Sequence, residues 1–308
     1  MAAGSPRARR APSPGEALPT AGAVSPSPVA SHGIEPPAPP RRRSGKGSPS
    51  GSGEPPRRRR NVLSTILIAL GTVLLIAAAA ILIHALIGYR QAQATYDELR
   101  QYAVQDEAGD GVPVVDFDEL ARINPDVVGW IYVPGTVINY PVVQTDDNTT
   151  YLTRLFDLSG NGSGTIFMDM DDTAPGVVDE QTTLYGHHMN DGSMFKAIDD
   201  TLNQEAFDKI GKIYYITREN TFVFRPLFTS QVVDTYVDAR KANFGDGETL
   251  AGYLDDIHGQ AVSVAPDAEE RMVGVDQVLS LVTCAGEILP RTTRAVMVCS
   301  LEETIPHQ

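Results

Sequence analysis

The sequence predicts a mainly β domain, a closed or nearly closed barrel of about seven to eight strands, carried on one membrane-spanning helix. Three observations predict it. Beyond residue 116, at least seven short runs rich in Val, Ile, Tyr, Phe and Thr are separated by Gly, Pro, Asn or Asp, the pattern of strands joined by turns. Between two of these runs, Leu250, Tyr253, Leu254 and Ile257 recur at i, i+3, i+4 and i+7, an amphipathic helix inserted ahead of the strand that ends at Cys284. Far upstream, Val62 to Ile87 is apolar apart from Ser, Thr, Gly and one His, which exceeds the about twenty residues needed to cross a bilayer as helix.

Charge divides the 308 residues into unlike parts. Through Arg60 there are eleven Lys and Arg against three Asp and Glu, a net of +8, leaving fourteen basic against thirty-six acidic residues beyond it, a net of −22. The acidic part offers no basic surface for nucleic acid. Residues 1–60 hold thirteen of the twenty-two prolines and repeated Ser, Gly and Arg. Such a tail buries too little apolar surface to offset its ordering entropy and is expected to be disordered. Residues 61–88 form the membrane helix. They begin too far from the N-terminus for a cleaved signal peptide, and Arg57 to Arg60 immediately before them put the tail in the cytoplasm and the acidic bulk outside. Residues 89–115 read as an exposed helical stalk followed by a Gly-rich acidic linker, Asp106 to Val114.

The domain then spans residues 116–308. Asp116, with Glu119 three residues on, has capping-box spacing for a short helix through about Ile123. Gly129 to Gln144 reads as a hairpin broken at Pro134-Gly135. Gly162 to Asp169 and Thr182 to Met189 are further strands, the second ending in His187 and His188. Met194 to Ile210 has near-helical spacing, and the acidic run Asp169 to Asp172 reads as a solvated turn.

The chemistry gathers at Ser280 to Cys299. Cys284 closes one apolar run and Arg294 opens the next, so a thiol and a guanidinium meet on one rim of the sheet. A thiol there acts only if a nearby base or cation favours the thiolate and something stabilises the charge on the carbonyl it attacks. Strand alternation puts Val296 and Val298 on the face of Arg294 and Cys299 on the other, arguing against a disulfide and for Cys299 as a buried hydrophobe. Among six histidines, only His187 and His188 stand at a strand end. No metal-ligand spacing accompanies them, and no cofactor is implied.

A strand-end His, a Thr-Cys strand end and an Arg opening the next strand together resemble the sortases, cysteine transpeptidases of the Gram-positive surface. Ser280-Leu281-Val282-Thr283-Cys284 matches their Thr-Leu-x-Thr-Cys signature with Ser in place of the first Thr. Asn124 to Leu152, Leu184 to Phe195 and the helix inserted before the cysteine strand resemble class B members in particular. The resemblance implies Cys284 as nucleophile, His187 as acid and base, and Arg294 as stabiliser of the oxyanion, with Asn148, Leu152 and Thr283 lining a substrate groove. The family usually has Asn where His188 stands, and Arg291 is the alternative guanidinium. Implied partners are secreted proteins with a C-terminal sorting signal cut after Thr, and an amine of a peptidoglycan precursor or of another protein. Pilin-polymerising class C enzymes usually add an N-terminal lid with an Asp-Pro-aromatic motif and a second membrane segment. Here the nearest tract is Asn124-Pro125-Asp126, and polar sequence follows Cys299, so wall anchoring is the expected reaction. A reading of another class, a non-catalytic surface domain that holds peptide or wall ligand, requires Cys284 to be unreactive.

Overall fold

The computed structural model describes residues 62–105, 111–160, 163–245, 247–284 and 292–307. Helix α1 runs unbroken over Val62–Leu99. Its first part is apolar and exposed, long and apolar enough to cross a membrane. The sequence pattern predicts that its last turns stand exposed as a stalk, but Ala92, Tyr96 and Leu99 are buried in the core. The three lie at i, i+4 and i+7, one apolar stripe that polar neighbours on the other faces conceal.

A single turn of 3₁₀ helix, Arg100–Tyr102, leads into a small antiparallel pair, β1 (Ala103–Gln105) with β2 (Pro113–Val115). Residues 106–110 of the expected linker lie outside the described residues. Helix α2 (Phe117–Ile123) starts as its capping residue requires: the Asp116 carboxylate accepts from the amides of Asp118 and Glu119 at 3.2 and 3.1 Å. Glu119 pairs with Arg122 rather than reaching back to close the box.

The barrel follows from β3 (Val127–Tyr132), β4 (Asn139–Val143), β5 (Ile166–Met168), β6 (Gln181–Tyr185), β7 (Ile213–Ile216), β8 (Asn220–Val233), β10 (Val278–Cys284) and β11 (Thr293–Pro306), with β9 (Ala261–Val264) added on β8. Hydrogen bonds order them β11-β10-β6-β5-β4-β3-β7-β8, and β8 pairs with β11 to close the ring of eight. Pairs β4–β5 and β6–β10 are parallel, the others antiparallel. Two short helices, α3 (Lys196–Asp200) and α4 (Gln204–Phe207), join β6 to β7. Helices α5 (Leu250–His258) and α6 (Ala268–Met272) flank β9 ahead of β10.

Strand alternation sorts two cores. Leu279, Leu281, Met297 and Cys299 face the barrel interior with Trp130 and Phe224, while Val278, Val282, Val296 and Val298 face outward against Leu250, Tyr253, Leu254 and Ile257 of α5. Each fully buried Leu or Ile contributes about 1.5–3 kcal/mol. The inserted helix thus covers a sheet face that water would otherwise wet, which is why β10 reads as apolar on both sides. The same register separates the two cysteines. Cys299 is buried opposite Leu279, five residues back along β10 from Cys284, or about 16 Å at 3.3 Å per residue. A disulfide needs Cα atoms within about 7 Å, so the backbone excludes one.

Candidate active site

Three strand ends converge on one rim. Cys284, the last residue of β10, is the backbone partner of Arg294 near the start of β11. On its other side β10 runs parallel to β6, with Val282 opposite Tyr185, and the Gly186 amide extends that ladder by donating to the Val282 carbonyl at 3.1 Å. His187 is the next residue. A parallel register brings residues distant in sequence to the same level, so His187 and the Cys284 end of β10 stand side by side.

They open on a cleft of about 250 Å³ whose lining includes His187, Thr283 and Arg294, the loop residues Asn148 and Leu152, and Tyr236 and Arg240 from the segment after β8. Every described residue assigned to the site from sequence therefore borders one cleft, apart from Cys284, whose backbone adjoins it. Arg291 lies outside the described residues. Arg294 is half-buried, with Nη1 donating to its neighbour's carbonyl, Thr293 O, at 3.0 Å. Thr283 is buried, and its Oγ1 has no hydrogen-bond partner among the described residues.

The doubled histidine lies past the end of β6, which stops at Tyr185 rather than running to Met189 as expected, and its two rings part company. His187 lines the cleft, half-buried, with Nε2 donating to the Leu152 carbonyl at 2.5 Å. His188 is buried, with Nδ1 3.2 Å from Asp199 Oδ2. A glycine is required against the His187 ring: Gly164 has φ +66°, and a Cβ there would come within 2.7 Å of His187 Cδ2.

The loop that presents Leu152 is braced by Asp147. Its carboxylate accepts from the Thr149 and Thr150 amides at 2.6 and 2.7 Å and from both hydroxyls at 2.7 Å. The hydroxyls of Thr150 and Thr149, then their amides, hold that carboxyl well below the usual carboxylate range. Leu152 is exposed at the cleft rather than buried in the core. Asn148 accepts the Met170 amide at 2.9 Å through Oδ1, while its Nδ2 is buried with no hydrogen-bond partner among the described residues.

The cleft contains a second guanidinium that sequence reasoning missed. Arg240 Nε lies 3.3 Å from Asp169 Oδ2, which also accepts from the Tyr185 hydroxyl at 2.6 Å. Asp169 and Asp172, expected in a solvated turn, are both buried. Asp169 is neutralised by Arg240, from a segment seventy-one residues away, a contact that no local spacing reveals. Asp172 accepts the Thr183 amide at 2.7 Å, and its Oδ1 has no hydrogen-bond partner among the described residues. Desolvation, aided by the charge of Asp169, pushes its carboxyl up to about 8. A folded-state value above the unfolded one means that the contribution to stability is full below pH 4 and lost as pH rises through about 8. The variant Asp172→Asn, which removes the ionisation, is therefore expected to gain stability relative to the parent between pH 5 and pH 9, checked by urea unfolding at both pH values.

The sortase domain family model matches residues 131–302. The chain belongs to the sortase family. Sortases are cysteine transpeptidases, and this sortase shares their eight-stranded barrel. It is 29% identical over 185 residues to sortase B of Staphylococcus aureus, covering 60% of this chain and 74% of that protein. The structure of a Staphylococcus aureus sortase B-substrate complex superposes with TM-score 0.59 at 26% identity, covering 70% of this chain and 99% of the other. A Bacillus anthracis protein described as similar to sortase B gives TM-score 0.58 at 27% identity, covering 71% and 98%. The homologues are class B sortases.

Proposed function

We propose that this sortase is anchored in the membrane by α1, with the tail in the cytoplasm and the barrel outside, and fixes secreted proteins to the cell wall through a thioester on Cys284. The observation that carries the reading is the register that puts Cys284 beside Arg294 on one side and beside the strand leading to His187 on the other. The Staphylococcus aureus relative solved with substrate supports a peptide as the occupant of the cleft.

The Cys284 thiolate attacks the carbonyl carbon of a Thr in the sorting signal, forming a C–S bond and a tetrahedral oxyanion. The Arg294 guanidinium compensates that oxyanion. As the C–N bond breaks, His187 gives its proton to the departing amine, leaving the acyl group as a thioester. A cell-wall amine then attacks the thioester, His187 takes its proton, and the thiolate leaves. Asn148, Leu152 and Thr283 hold the peptide, the first with a buried amide donor that a substrate carbonyl would satisfy. The thioester retains the acyl-transfer potential of the cut peptide bond, so no ATP is needed outside the cell.

Trapping tests the reading. The full chain in detergent is mixed with a library of peptides carrying a central Thr, quenched in acid and digested for mass spectrometry. The expected product is an acyl adduct ending in Thr on the Cys284 peptide, which disappears when an amine is added and reappears as an amide. No adduct, or one on Cys299, would overturn the assignment.

A further inference from the structure

We propose that the end of α1 nearest the barrel is a positioning element for His187, acting through Tyr96. Two loops bracket that histidine, and one face of α1 holds both. The Tyr96 hydroxyl is buried, donates to the Gly164 carbonyl at 2.6 Å and lies 3.0 Å from Thr165 Oγ1. Gly164 is the residue packed against the His187 ring, and a Cβ on it would also meet the carbonyls of Tyr151 and Leu152 at 2.8 and 3.0 Å. Leu152 O is the acceptor of His187 Nε2, and the Thr165 amide donates to Tyr151 O at 3.0 Å. The phenol thus fixes the strip of backbone that sets both the acceptor and the packing surface of the imidazole.

The second loop follows His187. Its turn is closed by Asp191, which accepts the Ser193 amide and hydroxyl at 3.0 and 2.6 Å, and Gln93 of α1 reaches that carboxylate at 3.4 Å. Tyr96 also meets Tyr140 edge-on, with ring centroids 5.3 Å apart. Tyr140 Oη accepts the Met194 amide at 3.3 Å, and the next amide, Phe195, donates to the His187 carbonyl at 2.9 Å. Gln93 and Tyr96 lie three residues apart on one helix face, and Arg100, four further on, lies over the Tyr140 ring at 5.6 Å.

A phenylalanine would fill the same apolar socket, so packing alone does not call for the hydroxyl. Its donor goes to the buried carbonyl of Gly164, the residue packed against the imidazole, and without it that carbonyl loses a hydrogen bond. General acid-base catalysis needs that base placed to a fraction of an ångström.

The inference rests on His187 being the acid-base group. Its test compares the full chain in detergent with Tyr96→Phe and Cys284→Ala. Two readouts are used: acyl-enzyme formation from the Thr-centred peptide library, and the pH dependence of Cys284 alkylation by iodoacetamide. The expected result for Tyr96→Phe is a roughly tenfold slower acylation at saturating peptide, a smaller change in half-saturating concentration because Tyr96 does not itself line the cleft, a displaced pH inflection, and a modestly lowered thermal midpoint from the Gly164 carbonyl that loses its donor. Parental rate and inflection in Tyr96→Phe, with Cys284→Ala inactive, would overturn the positioning role alone. A slower rate that tracks lost thermal stability, with the inflection unmoved, would reduce Tyr96 to a packing residue and overturn it equally. Acylation surviving in Cys284→Ala would instead remove the catalytic reading beneath it.

Discussion

Replacing Cys284 by Ala is expected to abolish acyl-enzyme formation and to lower transpeptidation by at least about 10⁴-fold, the scale set by removing a covalent nucleophile. The second thiol offers no rescue. Cys299 is fully buried in the barrel interior, where desolvation pushes its thiol far above the ordinary range. It stands opposite Leu279, at the far end of β10 from the cleft. The fold should survive the change, because Cys284 is the last residue of its strand and the ladder from Val278 to Thr283 is untouched. The check is a pairing of measurements: peptide turnover, and far-ultraviolet circular dichroism through thermal unfolding. Turnover within tenfold of the parent in a folded variant would place the chemistry elsewhere.

What made this site legible in the sequence was strand parity. Alternation along two apolar runs separated Cys299 from the face of Arg294 and Val296, and the two cores of the barrel follow that division residue for residue. The i, i+3, i+4, i+7 pattern at Leu250 to Ile257 likewise reports a local fact, since the buried residues of α5 are those four. Other features depend on partners that no local pattern names. Asp169 is buried because Arg240 arrives from the segment after β8, and three residues of α1 are buried because the barrel offers them a socket. An acidic run and a polar helix look solvated until a distant element covers them.

The doubled histidine combines both cases, and it yields the second large effect. In His187→Ala, acylation is expected to fall by about 10²–10⁴-fold, the usual worth of a positioned general acid and base, with little change in stability. Its ring is half-buried at the cleft and, among the described residues, hydrogen-bonds the Leu152 carbonyl. His188→Ala should reverse that pattern. Its ring is buried against Asp199, 3.2 Å away, and its removal takes a partner from a carboxylate that is only 9% exposed. A buried polar group deprived of a partner costs about 1–3 kcal/mol, so His188→Ala is expected to unfold at lower denaturant while the folded fraction acylates at near the parental rate. Both rings lie past the end of β6 at Tyr185, one bordering the cleft and its neighbour buried. Acylation rates and urea midpoints for both variants decide the matter: a rate collapse in His188→Ala with His187→Ala active would exchange the two roles.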